Sequence, residues 1–374
     1  MKSKPCSRRF TPLVAAAGLL AAGLSTGAHA APGGNTGYVY TESNAAAGNE
    51  VLVYARGPDG RLDAAAAYPT GGAGSGGGLG SQGAVVLDDA GKWLLAVDAG
   101  SNEISVFAVT PASLAQTDRH DSGGQRPISV TINDDLVYAL NAGSDNIAGF
   151  RLDKDGTLSP LPGSQRPLSA AGADPAQVQL NPRGDLLVVT EKATNNVVVF
   201  PVGDDGLPGA PSVNAAPTPT PFGFAFGKRN QVFVSEAAGG APGASTLSSW
   251  QLQADASATL VTPSAPTGEA SACWVVVTQD GRLAFTANTG ASSISAFRIA
   301  ADGALTLIDG VAAAVPPGSA PGDMARSRDS RYLYALTRGA GTITAFRVGG
   351  DGSLQEVQTF SAGFPASTAG LAAQ

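Results

Sequence analysis

The chain has 374 residues, a formal net charge of −7 and a sequence pI near 4.9, with 49 glycines, 25 prolines and 43% hydrophobic residues. This composition predicts a turn-rich globular protein, because a disordered chain lacks such an apolar fraction. An acidic chain with 6% aromatic residues and no basic cluster is a poor ligand for nucleic acid or for an anionic membrane surface.

The first thirty residues have the pattern of a secretory signal peptide. Four basic residues come before an apolar run at residues 13–24, and residues 28–30 form a small-residue cleavage site after it. A run of about a dozen residues is too short to cross a bilayer, which takes roughly 20 in a helix. We therefore predict that residues 31–374 are exported and soluble, in the periplasm or outside the cell. The pair Arg8 and Arg9 leaves general secretion and twin-arginine export both open.

Seven short apolar segments, each ending in an aromatic residue, recur along the chain at intervals of 43 to 53 residues. Their aromatic ends are Tyr54, Phe107, Phe150, Phe200, Trp250, Phe297 and Phe346. A second apolar strand precedes each segment across a small polar turn, which makes each pair a hairpin. Five segments lead into an Asp-Gly pair, as at Asp155 and Gly156, and this pair predicts a further, outer strand. From the second repeat onward, another strand comes before the hairpin.

Four antiparallel strands in a repeat of about 45 to 50 residues are the anatomy of a β-propeller blade. The predicted fold class is therefore all-β, a seven-bladed β-propeller that forms one domain over residues 31–374. The first repeat lacks its leading strand, and residues 364–372 have the character of such a strand. We predict that the two ends of the chain close the ring within one blade. No segment has a sustained helical period, so helix content should be close to nil.

In such a ring, the starts of the innermost strands and the ends of the second strands open on the same face, where a pocket lined by every blade is expected. Glu236 and Glu191 are the candidate catalytic residues, as a carboxylate pair in which one pKa is raised. The alternative is that these turn carboxylates are solvated or bound to nearby backbone amides. The candidate substrate-binding residues are Arg338, Arg126, Asp98, Asn141, Asn288, Asp323 and Trp274.

Neither a metal ion nor another cofactor is expected. The mature chain keeps one histidine, His120, and one cysteine, Cys273, which cannot build a closed zinc site or an internal disulfide. The channel carboxylates leave a Ca²⁺ or Mg²⁺ ion as an alternative, although the spacing of a calcium loop is absent. We expect a monomer that binds a small molecule, and neither nucleic acid nor a membrane.

Several stretches carry a resemblance to a known family. They are residues 181–184 (Asn-Pro-Arg-Gly), 279–282 (Gln-Asp-Gly-Arg), 288–290 (Asn-Thr-Gly), 296–298 (Ala-Phe-Arg) and 364–366 (Phe-Pro-Ala). Through them, and across all seven repeats, the chain resembles the seven-bladed propeller lactonases, which include 6-phosphogluconolactonase-type hydrolases and carboxymuconate cyclases. Most of these residues belong to turns and to the core, so the resemblance is stronger evidence for the fold than for catalytic activity.

The resemblance implies a site with a histidine at the start of one inner strand, a glutamate at the end of a second strand, and arginines that open later inner strands. Glu236 matches the glutamate. Ala176 stands at the histidine position, and Phe222 and Gly322 stand at the arginine positions. These three residues cannot act as an acid–base group or an oxyanion clamp, so the family mechanism does not carry over whole.

Two functions stay open at this point. The first is a lactone hydrolase in which Glu236 orients or activates water and Arg338 or Arg126 holds a substrate carboxylate or the opening carbonyl. The second is a non-catalytic propeller that binds a ligand or a protein and has lost the family's catalytic residues.

Overall fold

The structure is a computed structural model that describes residues 36–111, 113–361 and 363–374. Its strands form seven antiparallel sheets. Each innermost strand contacts that of the next sheet, and the last contacts the first, so the sheets are the blades of a closed ring. The predicted seven-bladed β-propeller is confirmed. Within the described residues, the helical segments are two 3-10 turns, Ala238–Gly240 and Arg338–Ala340. The predicted signal peptide at residues 1–30 lies outside the described part of the chain.

In each blade the strands follow one another outward from the ring axis as inner, second, third and outer strand. Blade 1 comprises Ala369–Ala373, Gly37–Glu42, Glu50–Arg56 and Leu62–Pro69. Blade 2 comprises Val85–Leu87, Trp93–Asp98, Glu103–Val109 and Leu114–Asp121. Blade 3 comprises Pro127–Asn133, Leu136–Asn141 and Asn146–Leu152, with an outer strand in two pieces, Leu158–Pro160 and Arg166–Pro167. Blade 4 comprises Pro175–Leu180, Leu186–Glu191, Asn196–Pro201 and Ser212–Ala215.

The last three blades keep the same order. Blade 5 comprises Pro221–Phe226, Gln231–Glu236, Thr246–Leu252 and Ala258–Pro266. Blade 6 comprises Ala272–Val277, Leu283–Asn288, Ser293–Ile299 and Leu305–Ala314. Blade 7 comprises Pro321–Arg326, Tyr332–Thr337, Thr342–Val348 and Leu354–Ser361.

The second strands form the centre of the hydrophobic core. In Trp93–Asp98, Leu136–Asn141 and Leu283–Asn288 every residue is buried, whereas the outer strand Leu305–Ala314 is mostly exposed. A blade packs against a neighbour on both faces, so its second strand is apolar on both faces instead of alternating. The large aromatic residues that mark the repeat, such as Phe297, are buried between blades.

The ring closes in blade 1, as the sequence predicted. The C-terminal strand Ala369–Ala373 pairs with Gly37–Glu42, with Tyr40 opposite Ala372. The Thr41 hydroxyl donates to the carbonyl of Gly370 at 2.6 Å. Because the N-terminal and C-terminal strands share one sheet, the strand Gly37–Glu42 is paired on both sides and blade 1 has four strands like its neighbours.

The Asp-Gly turns between third and outer strands also fasten neighbouring blades together. Gly60 and Gly156 have φ of +84° and +88°, where a side chain is strained. A Cβ on Gly60 would lie 2.3 Å from the Tyr332 ring of blade 7, and one on Gly156 would lie 2.6 Å from the Trp93 ring of blade 2. These turns therefore need glycine both for the backbone and for the contact with the preceding blade.

Candidate active site

One polar position repeats around the upper face, which we define as the end of the ring where the inner strands begin and the second strands end. The last residue of the second strand is polar in every blade and 0% exposed. These residues are Glu42, Asp98, Asn141, Glu191, Glu236, Asn288 and Thr337. Sequence reasoning identified five of them. It missed Glu42, which ends its strand as Asp98 does, and it expected Arg338 where Thr337 stands.

Hydroxyl and amide groups hold the carboxylates at this position. Asp98 accepts from the Thr70 hydroxyl at 2.6 Å and from the Ser105 hydroxyl at 2.7 Å. Glu191 accepts from the backbone N–H of Ser169 at 2.9 Å. Because Thr70 and Ser169 lie just beyond outer strands, these carboxylates anchor the connections between blades. The bond from the Ser169 backbone N–H to Glu191 is of the kind expected in the alternative of carboxylates bound to backbone amides.

Glu236 is enclosed in the same way. Its Oε2 accepts from the Thr246 hydroxyl at 2.6 Å, and its Oε1 accepts from the Ser248 hydroxyl. Burial raises the pKa of Glu236 to about 8, and the two hydroxyl bonds oppose that shift. Glu191 and Glu236 share no hydrogen-bond partner among the described residues, so the predicted carboxylate pair sits in two separate clusters.

A third cluster joins blades 1, 2 and 7. The Asn49 amide donates to Glu42 Oε2 at 3.2 Å and to Asp98 Oδ1 at 3.0 Å. Burial, followed by the charges of Asp98 and Asp323, raises the pKa of Glu42 well above its ordinary value. The other oxygen of Glu42 has no hydrogen-bond partner within the described residues. Three carboxyl groups from three blades therefore interact electrostatically near the axis.

Aromatic and cationic side chains form a row at the centre of the upper face, which we call the axial row. The Phe222 and Trp274 rings lie 4.9 Å apart between their centroids. Lys192 Nζ lies 5.3 Å from the Phe222 ring, and the Arg338 guanidinium lies 5.5 Å from the Trp274 ring. Four side chains from four blades thus meet at one place. Sequence reasoning missed Lys192, because a lysine in a turn carries no signal that it reaches the axis.

The two cations lie beside positions where the resemblance implied residues that this chain lacks. Lys192 Nζ donates to the carbonyl of Pro175 at 2.8 Å, next to Ala176. A Cβ on Gly322 would lie 3.2 Å from Arg338 Nε. The space beside these two small residues is therefore occupied by positive groups from the segments that follow the second strands of blades 4 and 7.

Below the axial row, three polar side chains close the central channel. The Gln82 amide donates to the carbonyl of Val275 at 2.9 Å, and the Gln177 amide donates to the carbonyl of Phe224 at 3.0 Å. Asp323 accepts from the backbone N–H of Gly370 at 2.9 Å. Gln82, Gln177 and Asp323, which we call the closing layer, each form a hydrogen bond to an inner strand of another blade.

The carboxyl group of Asp323, in the closing layer, has a pKa that is shifted strongly by its surroundings. Burial raises its pKa to about 7, and the positive charge of Arg338 and hydrogen bonds from Gly370 and Trp274 oppose the shift. A carboxyl group in this range exchanges its proton near neutral pH. The Trp274 indole N–H also donates to the carbonyl of Ser81 at 2.9 Å.

A chamber of about 790 Å³ lies on the other side of the closing layer. Inner strands of all seven blades line it, and it opens at the turns between inner and second strands, near Asp88, Pro182 and Arg328. Of the nine residues that the sequence predicted for the site, Asp323 is the one that lines this chamber. The other eight lie toward the upper face, away from the chamber mouth.

The remaining predicted residues differ in exposure. Arg126 is exposed, whereas Asn141 and Asn288 are fully buried and their amide oxygens have no hydrogen-bond partner among the described residues. In the described ranges, no group of three or more histidine, cysteine or carboxylate side chains could hold a metal ion. Nor does any helix in the described part of the chain have the length and apolarity to cross a membrane.

Solved structures with the same fold were found by comparison of the whole chain. A Bacteroides uniformis protein with a provisional 6-phosphogluconolactonase assignment is 17% identical, with a TM-score of 0.70 over 89% of this chain and 99% of that one. A Bacteroides fragilis protein with the same provisional assignment is 16% identical, with a TM-score of 0.69 over 90% and 98%. The periplasmic gluconolactonase of Pseudomonas aeruginosa is 14% identical, with a TM-score of 0.69 over 89% and 98%.

No curated protein matches the chain. The family model described as "Lactonase, 7-bladed beta-propeller" matches residues 29–169 and 207–326, which is well over half of the sequence. The two matched ranges contain strands of all seven blades and include Glu236, Trp274 and Asp323, whereas Glu191, Lys192 and Arg338 lie outside them. The chain therefore belongs to the seven-bladed β-propeller lactonase family.

Proposed function

We propose that the chain is an exported hydrolase of small lactones. The observation that carries this proposal is the match to the lactonase family over residues 29–169 and 207–326. The residues at the axis support it, because Arg338 and the Trp274 ring of the axial row act on Asp323, a carboxyl group of the closing layer below them that titrates near neutral pH. The pattern of residues 1–30 and the periplasmic location of the Pseudomonas aeruginosa structure support export.

Lactone hydrolysis needs a base for water and a positive group for the carbonyl oxygen. Water adds to the acyl carbon, the ring C–O bond breaks, and the proton taken from water ends on the alkoxide oxygen of the hydroxy acid. We assign the proton transfer to Asp323, whose pKa of about 7 suits both steps. Arg338 is the group that stabilises the developing oxyanion, because its guanidinium makes no hydrogen bond to any described residue and lies near Asp323.

Glu236, predicted from the sequence, is the rival for the acid–base role. Its pKa of about 8 keeps it mainly protonated at neutral pH, and both of its oxygens accept hydroxyl hydrogen bonds. In that state it can donate a proton but is a poor base. Hydroxyl donors occupy both oxygens of Glu236, whereas Asp323 lies under the influence of Arg338, and we therefore assign the role to Asp323.

Two substitutions decide between these carboxyl groups. The assay is the release of acid from a panel of γ- and δ-lactones, measured at constant pH with purified mature protein. We expect Asp323→Asn to lower kcat by about 100-fold, the scale for losing a positioned acid–base group. Glu236→Gln should change kcat by less than about threefold, and so should the control Asp204→Asn, which alters an exposed carboxylate.

The possible outcomes separate the site from the function. A loss of about 100-fold in Glu236→Gln, with Asp323→Asn unaffected, would assign the step to Glu236 and contradict our choice. Hydrolysis no faster than in buffer across the whole panel would contradict the function itself. Melting temperatures of each variant show whether a loss of activity reflects a loss of fold.

The second candidate is a propeller that binds a ligand without turning it over. The burial of the predicted side chains favours this alternative, since Glu236, Glu191 and Asp98 have no exposed surface. The residues Ala176, Phe222 and Gly322 favour it as well. Binding of a small ligand at the upper face without hydrolysis of any lactone would establish this alternative.

A further inference from the structure

The connection from blade 1 to blade 2 crosses the upper face and covers the axial row. It comprises residues 70–84, which is 15 residues, whereas the other six connections between blades have five to seven. We call residues 70–84 the strap. Between its ends the strap passes blade 1 at Asn44, whose amide donates to the carbonyl of Gly77 at 2.6 Å. It then reaches blades 7, 4 and 6 before it enters the channel at Gln82.

Both cations of the axial row contact the strap. Lys192 Nζ donates to the carbonyl of Gly80 at 2.9 Å. Gly78 lies against Arg338, since a Cβ on this glycine would be 2.9 Å from Arg338 Nη1. The Trp274 indole N–H donates to the carbonyl of Ser81 at 2.9 Å. The strap is thus held at the axis by the residues that it covers.

Within the described part of the chain, neither positive group of the row forms an ion pair with a buried acid, although the charge of Arg338 acts on Asp323 from a longer distance. Among the described residues, no carboxylate lies within ion-pair distance of Arg338. Lys192 forms a long ion pair of 3.4 Å with Asp174, whose side chain is 56% exposed, so solvent screens that pair. The side chain of Lys192 itself is only 14% exposed. Its two nearest acceptors are the neutral carbonyls of Gly80 and Pro175.

A neutral carbonyl is a weaker partner for an ammonium group than a carboxylate is. A carboxylate that replaced the Gly80 carbonyl would gain a charge-assisted hydrogen bond from Lys192. A second acceptor on the same molecule would reach the free donors of Arg338, and its carbon skeleton would lie on the Phe222 and Trp274 rings. The strap carbonyl therefore occupies the place that an anionic ligand would fill.

We propose that Lys192 and Arg338 form an anion site at the axis that the strap keeps closed, and that a carboxylate-bearing small molecule binds by displacing the Gly80 carbonyl from Lys192. Lys192 holds the strap when the site is closed and binds the ligand directly when the strap is displaced. The identification of this ligand with a substrate or product of the hydrolase rests on the proposed function. The binding step itself does not require turnover.

The binding test uses glutarate, a dicarboxylate that no lactonase can hydrolyse, and isothermal titration calorimetry with purified mature protein. Its neutral diamide, glutaramide, has the same skeleton without charge. We expect glutarate to bind and glutaramide to bind at least about tenfold more weakly, since hydrogen bonds to charged groups are the stronger ones. Lys192→Met and Arg338→Met should each weaken glutarate binding by about tenfold or more, while Lys154→Met, at an exposed lysine, should leave it unchanged.

Hydrogen exchange tests the displacement of the strap. We expect saturating glutarate to speed amide exchange in residues 75–80, because the Gly80 carbonyl is released from Lys192. In Lys192→Met the same amides should exchange fast without ligand and should not respond to it. If Lys192 only held the strap in place, Lys192→Met would still speed exchange in these amides. Glutarate, however, would then leave exchange in the wild-type strap unchanged.

Each contrary result overturns a stated part of the proposal. No glutarate binding up to about 10 mM, or equal binding by Lys192→Met, would refute the anion site. Inorganic phosphate binding more tightly than glutarate would refute the carboxylate class. Glutarate binding that needs both cations, in a protein that hydrolyses no lactone, would refute the proposed function and leave this inference standing.

Discussion

The buried carboxyl group of Glu236 makes the stability of the fold depend on pH in a defined direction. Its pKa is raised from 4.5 to about 8 in the folded protein, and burial is the principal cause. Between these two values the folded state holds a proton that the unfolded state has lost. The contribution of Glu236 to the free energy of unfolding is therefore largest below pH 4.5 and falls as pH rises through about 8.

The size of the effect follows from the shift. At about 1.4 kcal/mol per pH unit, a rise from 4.5 to about 8 sets an upper limit on the order of 5 kcal/mol. Relaxation of the structure and entry of water reduce such penalties, so we expect about 1–2 kcal/mol to remain. Glu236→Gln keeps the shape of the side chain, stays neutral at every pH, and removes this contribution.

The assay is urea unfolding of the mature protein followed by circular dichroism at pH 5, 7 and 8.5. Glu236→Gln should match the wild type at pH 5 and exceed its unfolding free energy by about 1–2 kcal/mol at pH 8.5. The pKa of Asp323 is also raised in the folded protein. Its contribution to the unfolding free energy is the same in the wild type and in Glu236→Gln, so it cancels when the two are compared. The control is Glu356→Gln, which alters an exposed carboxylate on the outer strand of blade 7.

Parallel pH curves for Glu236→Gln and the wild type would refute the reasoning, because they would mean that Glu236 is ionised in the folded protein. If Glu236→Gln were less stable than the wild type at pH 5, the amide would be a poorer partner than the carboxyl group for the Thr246 and Ser248 hydroxyls. The same variant serves the activity test, so its stability profile also shows whether any change in kcat arises from the chemistry.

Three further predictions follow from the closed ring, the closing layer and the N-terminal segment. Deletion of residues 364–374 removes the inner strand of blade 1 and should lower the unfolding free energy by on the order of 5 kcal/mol, so an unchanged melting temperature would contradict the closure. Gln82→Ala breaks the amide bonds to Val275 and should lower the melting temperature by roughly 5 °C, whereas Gln253→Ala, at an exposed turn, should not. Mass spectrometry of the exported protein should find a new terminus at Ala31 or a few residues away, and a full-length product kept in the cytoplasm would contradict export.

The sequence by itself determined the fold of this protein. The aromatic repeat, the Asp-Gly turns and the alternation of apolar strands with polar turns are local signals, each readable within about 50 residues. Closure of the ring could also be predicted, because a first repeat without an inner strand leaves one place for the C-terminal segment. Gly60 illustrates why these signals are reliable, since its turn geometry and its contact with Tyr332 both demand glycine.

The candidate site was decided by the tertiary structure. Glu236 and Glu191 stand at the ends of second strands as predicted, yet only the packed blades show that hydroxyl and amide groups enclose them. Lys192 carries no sign in the sequence that it reaches the Phe222 ring. A propeller brings together at its axis residues that are far apart in the chain, and their mutual distances depend on the ring and not on any local spacing. For the same physical reason, only the assembled ring shows that the glycine-rich strap is held over the axis by Lys192 and Trp274.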